Sequence, residues 1–171
     1  MNESKEKIYC FDSSIFIALN RINNYIPVPD VWEELDNLFQ SGRLISHIFV
    51  YNEFNPDFLG KWVESRKKYF IGETESQINH VRQILAQFSG LIDHTKEKNE
   101  ADPWIIALAM EKNEEVSLFG QQQEYTVVSR ESPKSSIKIP AVCKAFGVPH
   151  MTLEEFLEDN GWRLGIIKSQ E

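Results

Sequence analysis

The sequence predicts an α/β fold, a mostly parallel sheet with helices on both of its faces. Three observations carry that expectation. Short apolar runs rich in β-branched and aromatic residues recur along the chain, separated by longer stretches with apolar residues at helical spacing. Capping signals stand where those stretches begin. The first short run, Ile8-Tyr9-Cys10-Phe11-Asp12, ends on a carboxylate. Open α/β sheets bind ligands just beyond the carboxyl ends of their strands.

Taken in order, strand one ends at Asp12, and Ser13 and Ser14 can cap a short helix over residues 15–20. Residues 23–29 form a loop with two prolines. Asp30 with Glu33 makes a capping box before Val31, Trp32, Leu35, Leu38 and Phe39 at helical spacing, and Ser41-Gly42 stops that helix. Residues 44–46 are a short strand, followed by a helical segment carrying Glu53. After Asn55-Pro56-Asp57, residues Phe58, Leu59, Trp62 and Val63 give another amphipathic helix. Thr74 with Gln77 caps the next, whose apolar face is Ile78, Val81, Ile84, Leu85 and Phe88, and Ser89-Gly90 ends it. Residues 96–100 are a charged loop. The stretch 101–110 is apolar nearly all round after Pro103, so it reads as a buried helix, with the proline tolerated in its first turn. Residues 125–129 are a strand, with Glu131 just past it. A polar loop over 132–140, a helix over 141–146, a strand over 148–151 and a helix over 152–160 complete the domain. That last helix has Thr152 and Glu155 as a capping box and Gly161 as its stop, and the tail from 166 is expected to fray.

A chain of 171 residues reads as one domain over 1–171. Its net charge of −8 argues against a protein that coats nucleic acid non-specifically. It leaves room for an enzyme acting on nucleic acid, because catalytic acids are negative until a metal binds. Basic residues fall into two groups that could meet phosphate: Lys61, Arg66, Lys67 and Lys68, then Lys134, Lys138 and Lys144. No apolar stretch approaches the roughly 18 residues of a membrane helix, so no membrane partner is expected. The first seven residues are polar, with no apolar core of a secretory leader. Cys10 and Cys143 stand far apart, and the four histidines lack zinc-like spacing. A reducing cytoplasm is the expected compartment.

Four acids occupy strand-end or helix-start positions: Asp12, Glu53, Asp102 and Glu131. Acids gathered from distant segments are what a magnesium or manganese site uses, since these hard ions prefer oxygen ligands. Each acid also has a plainer reading. Asp12 and Asp102 fit helix caps. Glu53 fits a surface helix acid, and Glu131 a loop acid. Ser14 fits a cap. Asp93, Glu97 and Glu100 are neighbouring acids expected to be solvated, and Glu100 could replace Asp102 if the register slips by a turn.

The order of motifs resembles the PIN-domain nuclease superfamily over nearly the whole chain. The motifs are a strand closing on Asp12-Ser13-Ser14, then Val50-Tyr51-Asn52-Glu53-Phe54, then Ala101-Asp102-Pro103-Trp104 opening an apolar helix, then Val127-Val128-Ser129-Arg130-Glu131. The flanks Ile137-Lys138-Ile139-Pro140 and Gly161-Trp162 look closest to a little-characterised prokaryotic subgroup. The resemblance implies a three-layer α/β/α sandwich with a mostly parallel sheet and a divalent-metal site lined by acids. It also implies an activity, cleavage of RNA, many such proteins being VapC-type toxins held by a small DNA-binding antitoxin and paired as homodimers. Carried over by position, Asp12, Glu53, Asp102 and Glu131 are the metal-binding and catalytic acids, and Ser14 the small hydroxyl that meets a metal water or substrate phosphate. Two departures stand out: the fourth acid is Glu where Asp is usual, and residues 114–124 form a longer, Gln-rich connector.

Phosphodiester hydrolysis needs an activated water and stabilised oxygens, which two divalent ions about 3.5–4 Å apart can supply. Without metal, clustered carboxylates should hold raised pKa values. Two other classes stand beside the nuclease. One is a non-catalytic PIN-like interaction module using the 114–124 connector. The other is a phosphotransfer enzyme, disfavoured because Ser14 sits where a haloacid-dehalogenase phosphatase wants a second Asp.

Overall fold

The computed structural model describes residues 4–25, 31–93, 95, 100–131 and 134–162. The prolines of the 23–29 loop, the Asp30 half of the capping box, residues 96–99 with Glu97, and the tail from 166 lie outside them.

Five strands form one parallel sheet: β1 (Glu6–Phe11), β2 (Leu44–His47), β3 (Phe70–Ile71), β4 (Gln123–Val128) and β5 (His150–Met151). Their order is β3-β2-β1-β4-β5. The connections are the helices α1 (Ser13–Tyr25), α2 (Val31–Gln40), α3 (Ile48–Tyr51), α4 (Phe58–Glu64), α5 (Glu75–Gln87), α6 (Asp102–Phe119) and α7 (Ile139–Ala145), with α8 (Leu153–Asp159) following β5. The arrangement is a three-layer α/β/α sandwich.

β1 is central because it is the most apolar strand: Ile8, Tyr9, Cys10 and Phe11 are all buried. A continuous apolar run suits a parallel strand covered on both faces. The Tyr9 and Phe11 rings meet Phe156 of α8 edge-on at 4.9 and 4.8 Å, and Phe11 meets Phe16 of α1 at 5.2 Å. α5 and α6 pack together, and α6 lies on β4 and β1. Parallel strands need right-handed crossovers. The chain runs from β1 outward to β3, returns across the sheet to β4, and then runs outward to β5. The order therefore reverses between β1 and β4, and their carboxyl ends flank the switch point where such sheets bind ligands.

Several elements differ from the sequence expectation. α1 runs to Tyr25, well past residue 20. Glu53 lies in a turn just beyond α3, whose four residues are followed by Asn52 as C-cap. β3 was not foreseen: two residues cannot display a period. The expected 114–124 connector is mostly helix, because α6 continues to Phe119 and leaves three residues before β4. Glu111, Lys112, Glu114, Glu115 and Leu118 are good helix formers. Lys112 and Glu115 pair at 2.9 Å, and Asn113 grips the Tyr125 backbone with bonds of 2.8 and 2.9 Å. Gly120 (φ +64°) then ends the helix in the left-handed conformation.

A candidate active site at the switch point

Asp12 is the residue after β1, and its amide donates to the Val128 carbonyl at 3.1 Å, joining the ends of β1 and β4. Its side chain is buried, and its two oxygens differ. Oδ2 accepts from the Ser14 amide at 3.2 Å, capping α1. Oδ1 is buried with no hydrogen-bond partner. The cap reading and the functional reading thus each hold for one oxygen. Burial pushes the Asp12 carboxyl up to about 6; the hydroxyl and amide of Ser14 oppose the rise, and the charges of Glu53 and Glu131 add to it.

Asp102 opens α6. The cap position is Ala101, which supplies no side-chain bond, so the simple cap reading of Asp102 is not what the helix uses. Pro103 follows in the first turn. Burial first, then the charges of Asp12, Glu131, Glu53 and Glu100, raise its carboxyl to about 8. That rise favours the protonated acid over the carboxylate.

Glu53 is exposed but fixed. Its Oε2 accepts from the Ser13 hydroxyl at 2.6 Å and its Oε1 from the Ala101 amide at 3.3 Å. Glu131 faces the same field but is bound elsewhere. Its Oε2 accepts from the Ile139 amide at 2.7 Å, closing the start of α7, and its Oε1 lies 3.5 Å from Lys138 Nζ. Ser14 acts as a brace, its hydroxyl accepting from the Arg130 amide at 3.1 Å.

A cleft of about 280 Å³ is lined by Glu53 and Asp102 together with Asp93, Glu100, Lys138, Leu91 and Ile92; Asp12, Ser14 and Glu131 are not in its lining. Glu100, expected to be solvated unless the register slips to put it in the place of Asp102, is half-buried and accepts from the Asp93 amide at 2.9 Å. Its place two residues before Asp102 was the signal. In the sequence Lys138 stands as one of a basic group, and nothing local marks it as facing the acids. Of the other basic group, Arg66 is bound to Asp36 and lies 3.9 Å over Trp62, tying α4 to α2. Trp104 packs in the core against His47 and Phe49.

The residues fit a hard divalent cation. The carboxylates of Glu53, Asp93, Glu100 and Asp102 offer oxygen ligands, one oxygen of Asp12 is buried and unsatisfied, and Asp102 carries a charge penalty that a cation would relieve. Asp12 Oδ1 and Asp102 would hold it, with Glu53 at the rim. Among the described residues, no three Asp, Glu, His or Cys side chains are already drawn together at ligand spacing. Mutual repulsion of unneutralised carboxylates is the physical reason to expect such a spread.

The pattern of DUF4411, a domain of unknown function, matches residues 9–164. The chain belongs to the DUF4411 family. None of the curated proteins matches it. The DUF4411 match includes every acid of the cleft and all of β1 from Tyr9 onward. No helix among the described residues is long and apolar enough to cross a membrane.

Proposed function

We propose that this DUF4411 protein is a PIN-like endoribonuclease that uses Mg2+ or Mn2+ to hydrolyse RNA phosphodiesters in the cytoplasm. We propose further that it is the toxin of a toxin–antitoxin pair, with a small DNA-binding protein as antitoxin and a homodimer as its own assembly. One observation carries the nuclease reading. Asp12, at the end of β1 with one buried oxygen unsatisfied, and Asp102, opening α6 in the cleft beside Glu53, come from distant parts of the chain, and burial with nearby carboxylate charges raises both. Perturbed acids in a cleft mark sites where charge is to be neutralised or protons moved. The toxin role rests on the sequence resemblance, since a fold alone does not specify a biological use.

A bound divalent ion would supply a nucleophilic water and charge stabilisation at phosphorus. The protein's own part follows from the geometry. Asp102, raised by burial and neighbouring charge, would hold the cation as a carboxylate. Glu53, held by Ser13 and the Ala101 amide, keeps a carboxylate at the cleft rim to orient water. Ser14 ties Asp12 to the segment after β4, so the two strand ends keep their spacing. Beside Glu53 a second groove of about 410 Å³, lined by Tyr51, Phe54, Asn52, Asn55 and Lys61, offers ring faces and amides of the kind that receive an unstacked base.

The test is cleavage of a mixed RNA pool by wild type and Asp12→Asn, each with manganese and with chelator. Manganese-dependent cleavage lost in the variant supports the nuclease. Intact RNA with well-folded wild type sinks it.

The interaction-module reading is favoured by one feature, the exposure of Leu118 and Phe119 (79% and 71%) at the end of α6. Calorimetry separates the two: no heat of magnesium or manganese binding near millimolar metal would support the module.

A further inference from the structure

We propose that Lys138 is the cleft's phosphate-binding cation and that Glu131 is the residue that positions it; this rests on the nuclease reading and deepens it. Among the described residues lining the cleft, Lys138 is the one cation, facing Glu53, Asp93, Glu100 and Asp102. A fixed positive group among these acids gives a phosphate a partner of opposite charge beside the carboxylates. Lys138 has the geometry for that role.

Its backbone is held on both sides. The Lys138 carbonyl accepts from the Ala141 and Val142 amides at 3.0 and 3.2 Å. The next residue, Ile139, is buried, and its amide is gripped by Glu131. On the other side Ile137 lies over Gly90, whose Cβ, if it had one, would come within 3.7 Å of Ile137 Cδ1. The stem of Lys138 is thus anchored while its side chain stays half exposed. At 3.5 Å its ammonium is within Coulomb range of Glu131 Oε1 but loosely held, and an ion pair this exposed adds little to stability. It is suited to sharing: the ammonium has three donors, so Lys138 keeps Glu131 at its side while it turns to a phosphate oxygen when RNA arrives. Glu131, with its other oxygen committed to Ile139, acts through Lys138.

The experiment measures binding of a labelled oligouridine in chelator, across a salt series, to wild type, Lys138→Ala, Lys138→Arg, Glu131→Gln and the Ala/Gln double variant. Gln at 131 still accepts from Ile139, so the start of α7 survives. Lys138→Ala should lose about tenfold in affinity, the size of one charge-assisted hydrogen bond. Its log–log salt slope should fall by about 0.7, the loss of one single-strand phosphate contact. Arg should restore both, and melting temperatures should match wild type. Glu131→Gln should weaken binding, and the double variant should bind like Lys138→Ala alone. Unchanged affinity and slope in Lys138→Ala, or no oligouridine binding by wild type, overturns the proposal. Tighter binding by Glu131→Gln overturns the positioning role, because it would mean that Glu131 merely repels RNA. The expected binding pattern without any manganese-dependent cleavage would sink the nuclease reading while supporting Lys138 as the phosphate contact.

Discussion

Glu53 Oε1 accepts a hydrogen bond from the backbone amide of Ala101 at 3.3 Å, so the turn after α3 is fastened to the residue that precedes Asp102. Two acids far apart in the chain are thereby held at one rim by a bond that needs only an acceptor, while the chemistry needs the charge.

The two demands separate by substitution. Glu53→Gln keeps the acceptor and should leave metal-free stability unchanged while lowering manganese-dependent RNA cleavage by tenfold or more, in the range of about 10²-fold for a general acid or base. Glu53→Ala should in addition lose about 1 kcal/mol in urea unfolding, because the buried Ala101 amide loses its partner. Wild-type cleavage by Glu53→Gln would make Glu53 a strut and nothing more.

Asp102 links stability to pH. Its folded pKa of about 8 lies above the ordinary value of 3.8, so between those values the folded protein binds more protons than the unfolded chain. Metal-free stability should therefore fall as pH rises toward 8 and level off above it. Asp102→Asn should be more stable than wild type at pH 9 by a few kcal/mol, on the order of the linkage for a shift of this kind. The interval from pH 7 to 9 isolates it, since Asp12 near 6 has by then ionised. Saturating manganese should reverse the trend, because metal binding displaces the proton. Melting curves of wild type and variant that stay parallel across this interval would contradict the assignment.

His47 works in the opposite direction. Its Nδ1 accepts from the Phe49 amide at 3.1 Å, which puts the proton on Nε2, 3.0 Å from Gln77 Oε1; Gln77 in turn donates to Glu111 at 2.7 Å. Burial, only partly opposed by Gln77 and Glu111, lowers its pKa to about 4. The stability from keeping His47 neutral is present above its ordinary value of 6.5 and is lost as pH falls toward 4. His47→Asn should cost about 1–3 kcal/mol at pH 7, from the orphaned Gln77 oxygen. It should also flatten the decline between pH 6.5 and 4. Urea titrations at both ends of that interval read the difference.

Gly60 carries a backbone constraint next to the Glu53 turn. A Cβ there would lie 1.9 Å from the Asn55 carbonyl oxygen, whereas one at Gly72 would meet nothing within 4 Å. Gly60→Ala should destabilise by about 2 kcal/mol or more, as overpacking against fixed atoms does. Gly72→Ala should be neutral or gain a few tenths of a kcal/mol, about what reduced freedom of the unfolded chain provides. Equal melting temperatures for the two variants would refute the clash.

What the sequence determined by itself was local. Thr74 and Thr152 announce their helices, and both cap as expected, at Gln77 and Glu155. The apolar runs mark β1 and β4, and the alternation of strands with helices implies a parallel sheet. The acids at Asp12 and Asp102 are visible because they punctuate apolar segments. These signals lie within a few residues of what they control. Tertiary structure decided the rest. α6 runs past its apolar half where Asn113 grips the Tyr125 backbone of β4 beneath it. Strand β3 exists because β2 offers an edge. Glu131 became a helix anchor, and Lys138 a wall of the acidic cleft, through contacts that no spacing encodes. Periodicity reports which face of an element is buried; which charged side chains share a field depends on strand order, and that is set by how all the buried faces pack at once.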